Sequence, residues 1–164
     1  SSNNNTNSLP LHLLRHGSAL IATGLIWGFL VPLTPHPRLA LTAHIQFAVE
    51  GVMVVAAGLV LNSEPFSSPD IFSDTKNTAV TVPHRRRLAD RLSIWQTRVV
   101  RYGCAGIWVT LLSEIANAWW GTRWVLPIAH AAAGLAGEGQ TAAVWMERVV
   151  QIAHLPFAVV LAAV

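Results

Sequence analysis

The sequence predicts an all-α fold, a membrane protein built as one bundle of four transmembrane helices, and three observations predict it. Hydrophobic residues make up 52% of the 164 residues and charged residues only 12%, where a soluble domain carries about 25% charged. Several apolar segments are long enough to cross a bilayer, for which about 20 residues suffice. Lysine and arginine concentrate in one connection between such segments, the pattern that sets membrane orientation. The net charge of +3 and pI near 10 would suit nucleic acid. However, the basic residues sit in a loop rather than along a face with interleaved aromatics, so nucleic acid is excluded as a partner. A single cysteine, Cys104, excludes an intrachain disulfide. The chain opens SSNNNTNS and stops inside an apolar run, so neither end is expected to be natural.

The first span is expected over 9–33, ending in the punctuation of Pro32, Pro35 and Pro37. That turn is short, so the first two spans form an antiparallel hairpin. The second span covers 39–61, and a polar connection follows over 62–90, where SEPFSSPDIFSDTKN reads as an irregular loop. The third covers 99–120, preceded by an amphipathic turn or two in RLADRLSIWQTRVVR. TRWVLPIAHAAAGLAGEGQ is too interrupted by glycine for a regular helix, and the fourth span covers 142–164. Lys76, Arg85, Arg86, Arg87, Arg91, Arg98 and Arg101 lie in or beside the second connection, against Arg38 in the first and Arg123 in the third. Loop 62–90 and both termini are therefore expected in the cytosol. Trp27, Trp119, Trp120 and Trp124 fall near span ends, where indoles anchor at the headgroups, while mid-span Trp108 is expected to pack.

An ionisable group inside a membrane span is costly enough to be a functional hypothesis by default, and the second span carries His44 and Glu50. The structural alternative has His44 snorkelling to the interface and Glu50 paired with an arginine. Gly51 lies nearly on the face of His44 and would leave space beneath it, whereas Glu50 is about 120° around the helix. His12 and His16 share a face with metal-like spacing, and Glu114 and Asn117 are neighbours on the third span. His130, Glu138 and Glu147 read as structural. No hydrolase elbow, phosphate loop, CxxC pair or HExxH is present. A bundle with inward His, Glu and Asn can hold a haem on one imidazole, bind a small amphipathic molecule without metal, or conduct protons.

The HG pair at 16–17, PRLALTAH at 37–44, EG at 50–51, AN at 116–117, LPIA at 126–129 and W-x-E at Trp145 and Glu147 together resemble the hydroxylaminobenzene mutases. More distantly the chain is similar to the styrene oxide isomerases, four-span membrane proteins of comparable length. The resemblance runs from Leu11 to Val164 and omits 63–90, which reads as an insertion. It implies a membrane isomerase, assembled as a homotrimer, that uses haem b iron as a Lewis acid on a small apolar substrate entering from the bilayer. It further implies His44 as the axial ligand, Gly51 beside the cofactor, and Glu50 and Asn117 as catalytic groups. Glu50 stands where the epoxide isomerases have asparagine, and their substrate-contacting tyrosine falls near Gly121, two departures that point away from styrene oxide itself. The rival expectation is a haem-binding or electron-transfer protein, with His16 as a second ligand opposite His44.

Overall fold

The computed structural model describes residues 8–63, 87–132, 134 and 142–162, and these are helical without a strand. Helix α1 (Ser8–Leu30) runs through a 3-10 turn at Val31–Leu33 into α2 (Pro37–Asn62), and a 3-10 turn at Leu88–Arg91 leads to α3 (Ile94–Trp120). A short α4 (Pro127–Ala132) and then α5 (Val144–Ala162) complete the chain. Among the described residues three stretches are long and apolar enough to cross a membrane, Leu9–Leu33, Pro37–Asn62 and Ile94–Trp120. Helix α5 occupies the place expected of a fourth span and packs against α3. Most of the connection expected at 62–90, including Lys76, Arg85 and Arg86, lies outside the described residues, as does Glu138.

α1 and α2 form the expected hairpin, and glycine sets how closely they approach. A Cβ on Gly17 would sit 2.7 Å from the Gly51 carbonyl oxygen, and one on Gly24 would sit 2.7 Å from Phe47 Cβ. Lipid tails are as apolar as leucine, so helices in a bilayer associate through such small-residue contact rather than through hydrophobic exclusion. Leu9, Leu13 and Leu20 of α1 then meet Phe47 and Val54 of α2 and Cys104 and Leu111 of α3 in the main core. A smaller cluster joins Trp27, Ala40, Ala43 and Ala118 at the end where α1 turns into α2.

Helix α3 begins at Ile94, in the stretch where an amphipathic turn or two was expected ahead of the span, because Ser93 and Gln96 close a capping box, with Gln96 N donating to Ser93 Oγ at 3.2 Å and Ser93 N donating to Gln96 Oε1 at 2.9 Å. It ends at Gly121, whose φ of 64° is the left-handed C-terminal conformation that glycine adopts without strain. The stretch after it is not wholly irregular, since Pro127 starts a helical turn and a half. Trp27 is no interfacial anchor: it is buried, and its indole N–H donates to Ala40 O at 2.9 Å. Trp119 and Trp124 are exposed, and Trp108 packs edge-on against Phe47.

Candidate active site

His44 sits on the flank of α2 that faces α1. Its Nδ1 lies 2.7 Å from the Gly24 carbonyl oxygen, and because a carbonyl only accepts, a neutral His44 carries its proton on Nδ1 and keeps the Nε2 lone pair. That tautomer, fixed by a backbone carbonyl, is the one metal-binding histidines adopt. The ring is seated against Gly28, where any Cβ would stand 2.9 Å from His44 Cε1. On the same two helices Leu25 and Phe29 of α1 and Leu41 and Ile45 of α2 are exposed apolar residues. Gly51 does not open space below His44. A Cβ there would meet Ile21 Cγ1 at 2.7 Å and Gly17 O at 2.9 Å, so α1 fills the gap.

His16 lies elsewhere on the same seam. Its Nδ1 accepts the Trp108 indole N–H at 3.1 Å, and its ring centroid is 4.2 Å from that of His12. A neutral His16 therefore carries its proton on Nε2 and has no lone pair left over. Gly24, which holds His44, follows His16 by more than two helical turns, about 12 Å along the axis. Among the described residues no group of three or more His, Cys, Asp or Glu is placed to hold a metal ion.

Glu50 is on the opposite flank of α2, facing α3 and α5. It lies within electrostatic reach of Glu114 and His154, and its Oε2 is buried without a hydrogen-bond partner. Glu114 is 2% exposed. Gln46, one turn before Glu50, sets its side-chain amide against both Glu114 carboxylate oxygens, and with its nitrogen assigned to that side it donates to them. His154 places Nε2 3.4 Å from Glu114 Oε1 while its Nδ1 donates to Val150 O at 2.8 Å. Beside this cluster Thr110 Oγ1 donates to Ala153 O at 3.0 Å, tying α3 to α5. The Nδ1 proton is committed to a carbonyl, so the His154–Glu114 contact needs a second proton between nitrogen and oxygen.

Asn117 is fully buried one turn further along α3, and it does not pair with Glu114. Its Oδ1 accepts from both the backbone N–H and the hydroxyl of Thr122 at 2.6 Å, while its Nδ2 has no partner. His36 packs its ring against Gly121, where a Cβ would come within 2.7 Å of Nε2, and its own N–H donates to Ala118 O at 3.2 Å. Burial, and then the neighbouring His130, hold His36 below the usual histidine range. Glu147 accepts from the backbone N–H groups of Arg123 at 2.9 Å and Trp124 at 3.0 Å, a structural clasp between α5 and the loop after α3.

The fold thus brings Glu50 to Glu114 and His154, keeps His44 and His16 on the α1 seam, and sets Asn117 at the end of the bundle. Sequence reasoning missed Gln46, His154, His36 and Thr122. His154 carried the same signal as His44, an ionisable side chain within the apolar run QIAHLPFAVV, and Gln46 lies one turn from Glu50.

The resemblance read from the sequence is met by comparison with known proteins. The family model described as styrene oxide isomerase matches residues 10–70, which hold α1, α2 and both His44 and Glu50. Hydroxylaminobenzene mutase HabB of Ectopseudomonas oleovorans is 38% identical over 52 residues, 32% of this chain and 32% of that protein. The match therefore spans about a third of the curated relative. No solved structure matches.

Proposed function

We propose that this chain is a membrane isomerase that rearranges a small apolar substrate entering from the bilayer, with haem b on His44 and with Glu50 and Asn117 as the polar groups that act on substrate. The observation that carries the reading is the state of His44. Its Nδ1–H is tied to Gly24 O and its Nε2 is bare, on the hairpin that the styrene oxide isomerase family model matches. A porphyrin needs an available imidazole and apolar surroundings, and His44, with its free Nε2 on a hairpin whose exposed residues include Leu25, Phe29, Leu41 and Ile45, fits both needs.

When bound, haem iron supplies a Lewis acid that draws electron density from a substrate oxygen or nitrogen. The chain's own contribution begins with Gly24 O, which orients the imidazole and raises its basicity. Gly28 leaves room for the ring. Glu50 offers an unpartnered carboxylate oxygen that can take a proton or face a cation, in surroundings where such a contact is worth more than in water. Asn117 offers Nδ2 as a donor while Oδ1 is held by Thr122. His44 and Glu50 lie on different flanks of α2, His44 towards α1 and Glu50 towards α3 and α5, and assembly as a homotrimer belongs to the same reading. A four-span topology with α5 as the last span, and with loop 62–90 and both termini in the cytosol, completes the reading.

An electron carrier with His16 opposite His44 is less well supported, because the Trp108 N–H occupies the His16 lone pair and the two rings bind different stretches of α1. The test is the visible spectrum of the detergent-purified protein and of His44→Ala. A five-coordinate Soret band, lost in the variant, is expected. A full band retained by His44→Ala would move the ligand elsewhere, and a six-coordinate spectrum would favour the carrier.

A further inference from the structure

We propose that the N-terminal end of α3 binds an anionic phospholipid, its phosphate held by Arg91 and Arg98 and an acyl chain laid along the helix face that follows. The proposal rests on membrane residence and is independent of the isomerase reading. Its first observation is a stripe of side chains. Residues three and four apart share a helix face, so Trp95, Arg98 and Tyr102 stand in one row covering about 10 Å of the axis. All three are exposed, Trp95 at 70% and Tyr102 at 74%, so neither aromatic ring is spent on the core.

The row continues at the same spacing. Ala105, Val109 and Leu112 follow, are exposed as well, and lie within the span Ile94–Trp120. Helix α3 thus presents a cationic and aromatic head followed by an apolar track, the order in which a phospholipid presents headgroup and chain. Trp and Tyr are the residues that sit at headgroup level.

Charge selects the headgroup. Arg91, two residues before the Ser93 cap, is exposed, as is Arg98. Among the described residues no acid pairs with either: Asp90 Oδ2 accepts the Arg87 N–H at 3.1 Å, Glu114 meets His154, Glu147 holds the 123 and 124 amides, and Glu50 faces the Glu114 cluster. Two such arginines complement a phosphate diester that carries no cation of its own. A choline or ethanolamine headgroup would bring an ammonium to the same place, and a second copy of the chain seated isologously on the stripe would set arginine against arginine.

The experiment titrates the full chain, purified in detergent, with dioleoyl phosphatidylglycerol, dioleoyl phosphatidylcholine, dihexanoyl phosphatidylglycerol or inorganic phosphate. Bound lipid and oligomeric state are read by native mass spectrometry, and thermal unfolding is followed alongside. The variants are Arg91→Gln, Arg98→Gln and, as a control on another helix, Arg15→Gln, whose side chain is exposed on α1. An arginine near an anionic surface changes association about fivefold. Arg91→Gln and Arg98→Gln should therefore each bind dioleoyl phosphatidylglycerol about fivefold less tightly, while Arg15→Gln binds it as the parent does and all three unfold at the parental temperature without lipid. Equal affinity of the parent for the two dioleoyl lipids, parental affinity in Arg91→Gln and Arg98→Gln, or an equal loss in Arg15→Gln overturns the site. Dihexanoyl lipid bound as tightly as dioleoyl overturns the acyl track, and displacement by inorganic phosphate at equal concentration overturns the lipid in favour of a free anion. A changed oligomeric state in Arg98→Gln with lipid binding intact overturns the proposal in favour of a second copy.

Discussion

One hydrogen bond decides what His44 can do. Were Gly24 O absent, either ring nitrogen could carry the proton; with it, Nε2 is left as a base. Gly28 guards that geometry, and Gly28→Ala would drive a methyl to within 2.9 Å of His44 Cε1. Because the obstacle is a side-chain ring rather than backbone, the hairpin should still form and the ring should turn. We predict a folded Gly28→Ala protein with a weakened Soret band. A band equal to the parent's would mean that the seating of His44 is unimportant.

At the end of the bundle the relevant residue is His36. Burial and His130 disfavour its protonated form in the folded chain, so the unfolded chain binds more protons. Stability is then fully present above the unfolded histidine pKa of about 6.5 and is lost as pH falls towards the lower folded value. Thermal unfolding in detergent should show His36→Gln losing less stability than the parent between about pH 7.5 and about pH 5, and equal losses would contradict it. His44 and Glu50 were legible in the sequence as ionisable groups in a span. Their separation followed from helical periodicity, but the partners of Glu50 did not, because Glu114 and His154 meet it only through the packing of three helices.

Among the elements, the hairpin could be read directly, since a proline-punctuated turn leaves two apolar helices no other arrangement. For helix α3 hydropathy marks only where the apolar run begins, and the amphipathic turn ahead of it has no exact start in that pattern. The S-x-x-Q at Ser93–Gln96 marks where the backbone begins to coil. Helix α5 depends on a contact that no periodicity reveals: Glu147 holds the Arg123 and Trp124 N–H groups. Losing a buried, charged acceptor for both should cost about 2 kcal/mol or more. Glu147→Ala should therefore unfold at lower temperature and exchange the 123 and 124 amides faster, with α1 and α2 protected as before. Unchanged exchange at 123 and 124 would show that the clasp contributes nothing.

For the whole molecule, membrane residence was legible in composition, because 12% charge cannot cover a soluble domain of this size. The fold then divides its polar residues between a seam presenting one bare imidazole and a core cluster of two carboxylates, an amide and an imidazole. An isomerase has use for both, whereas an electron carrier has none for the second. The most direct measurement is turnover by the purified, haem-loaded protein of N-phenylhydroxylamine and of aryl epoxides, with no reductant, oxidant or partner protein added and products followed by mass and chromatography. The expected result is a product of the same mass as the substrate from at least one class, abolished in His44→Ala. No isomer from either class would contradict it, as would product that forms only when a redox partner is supplied.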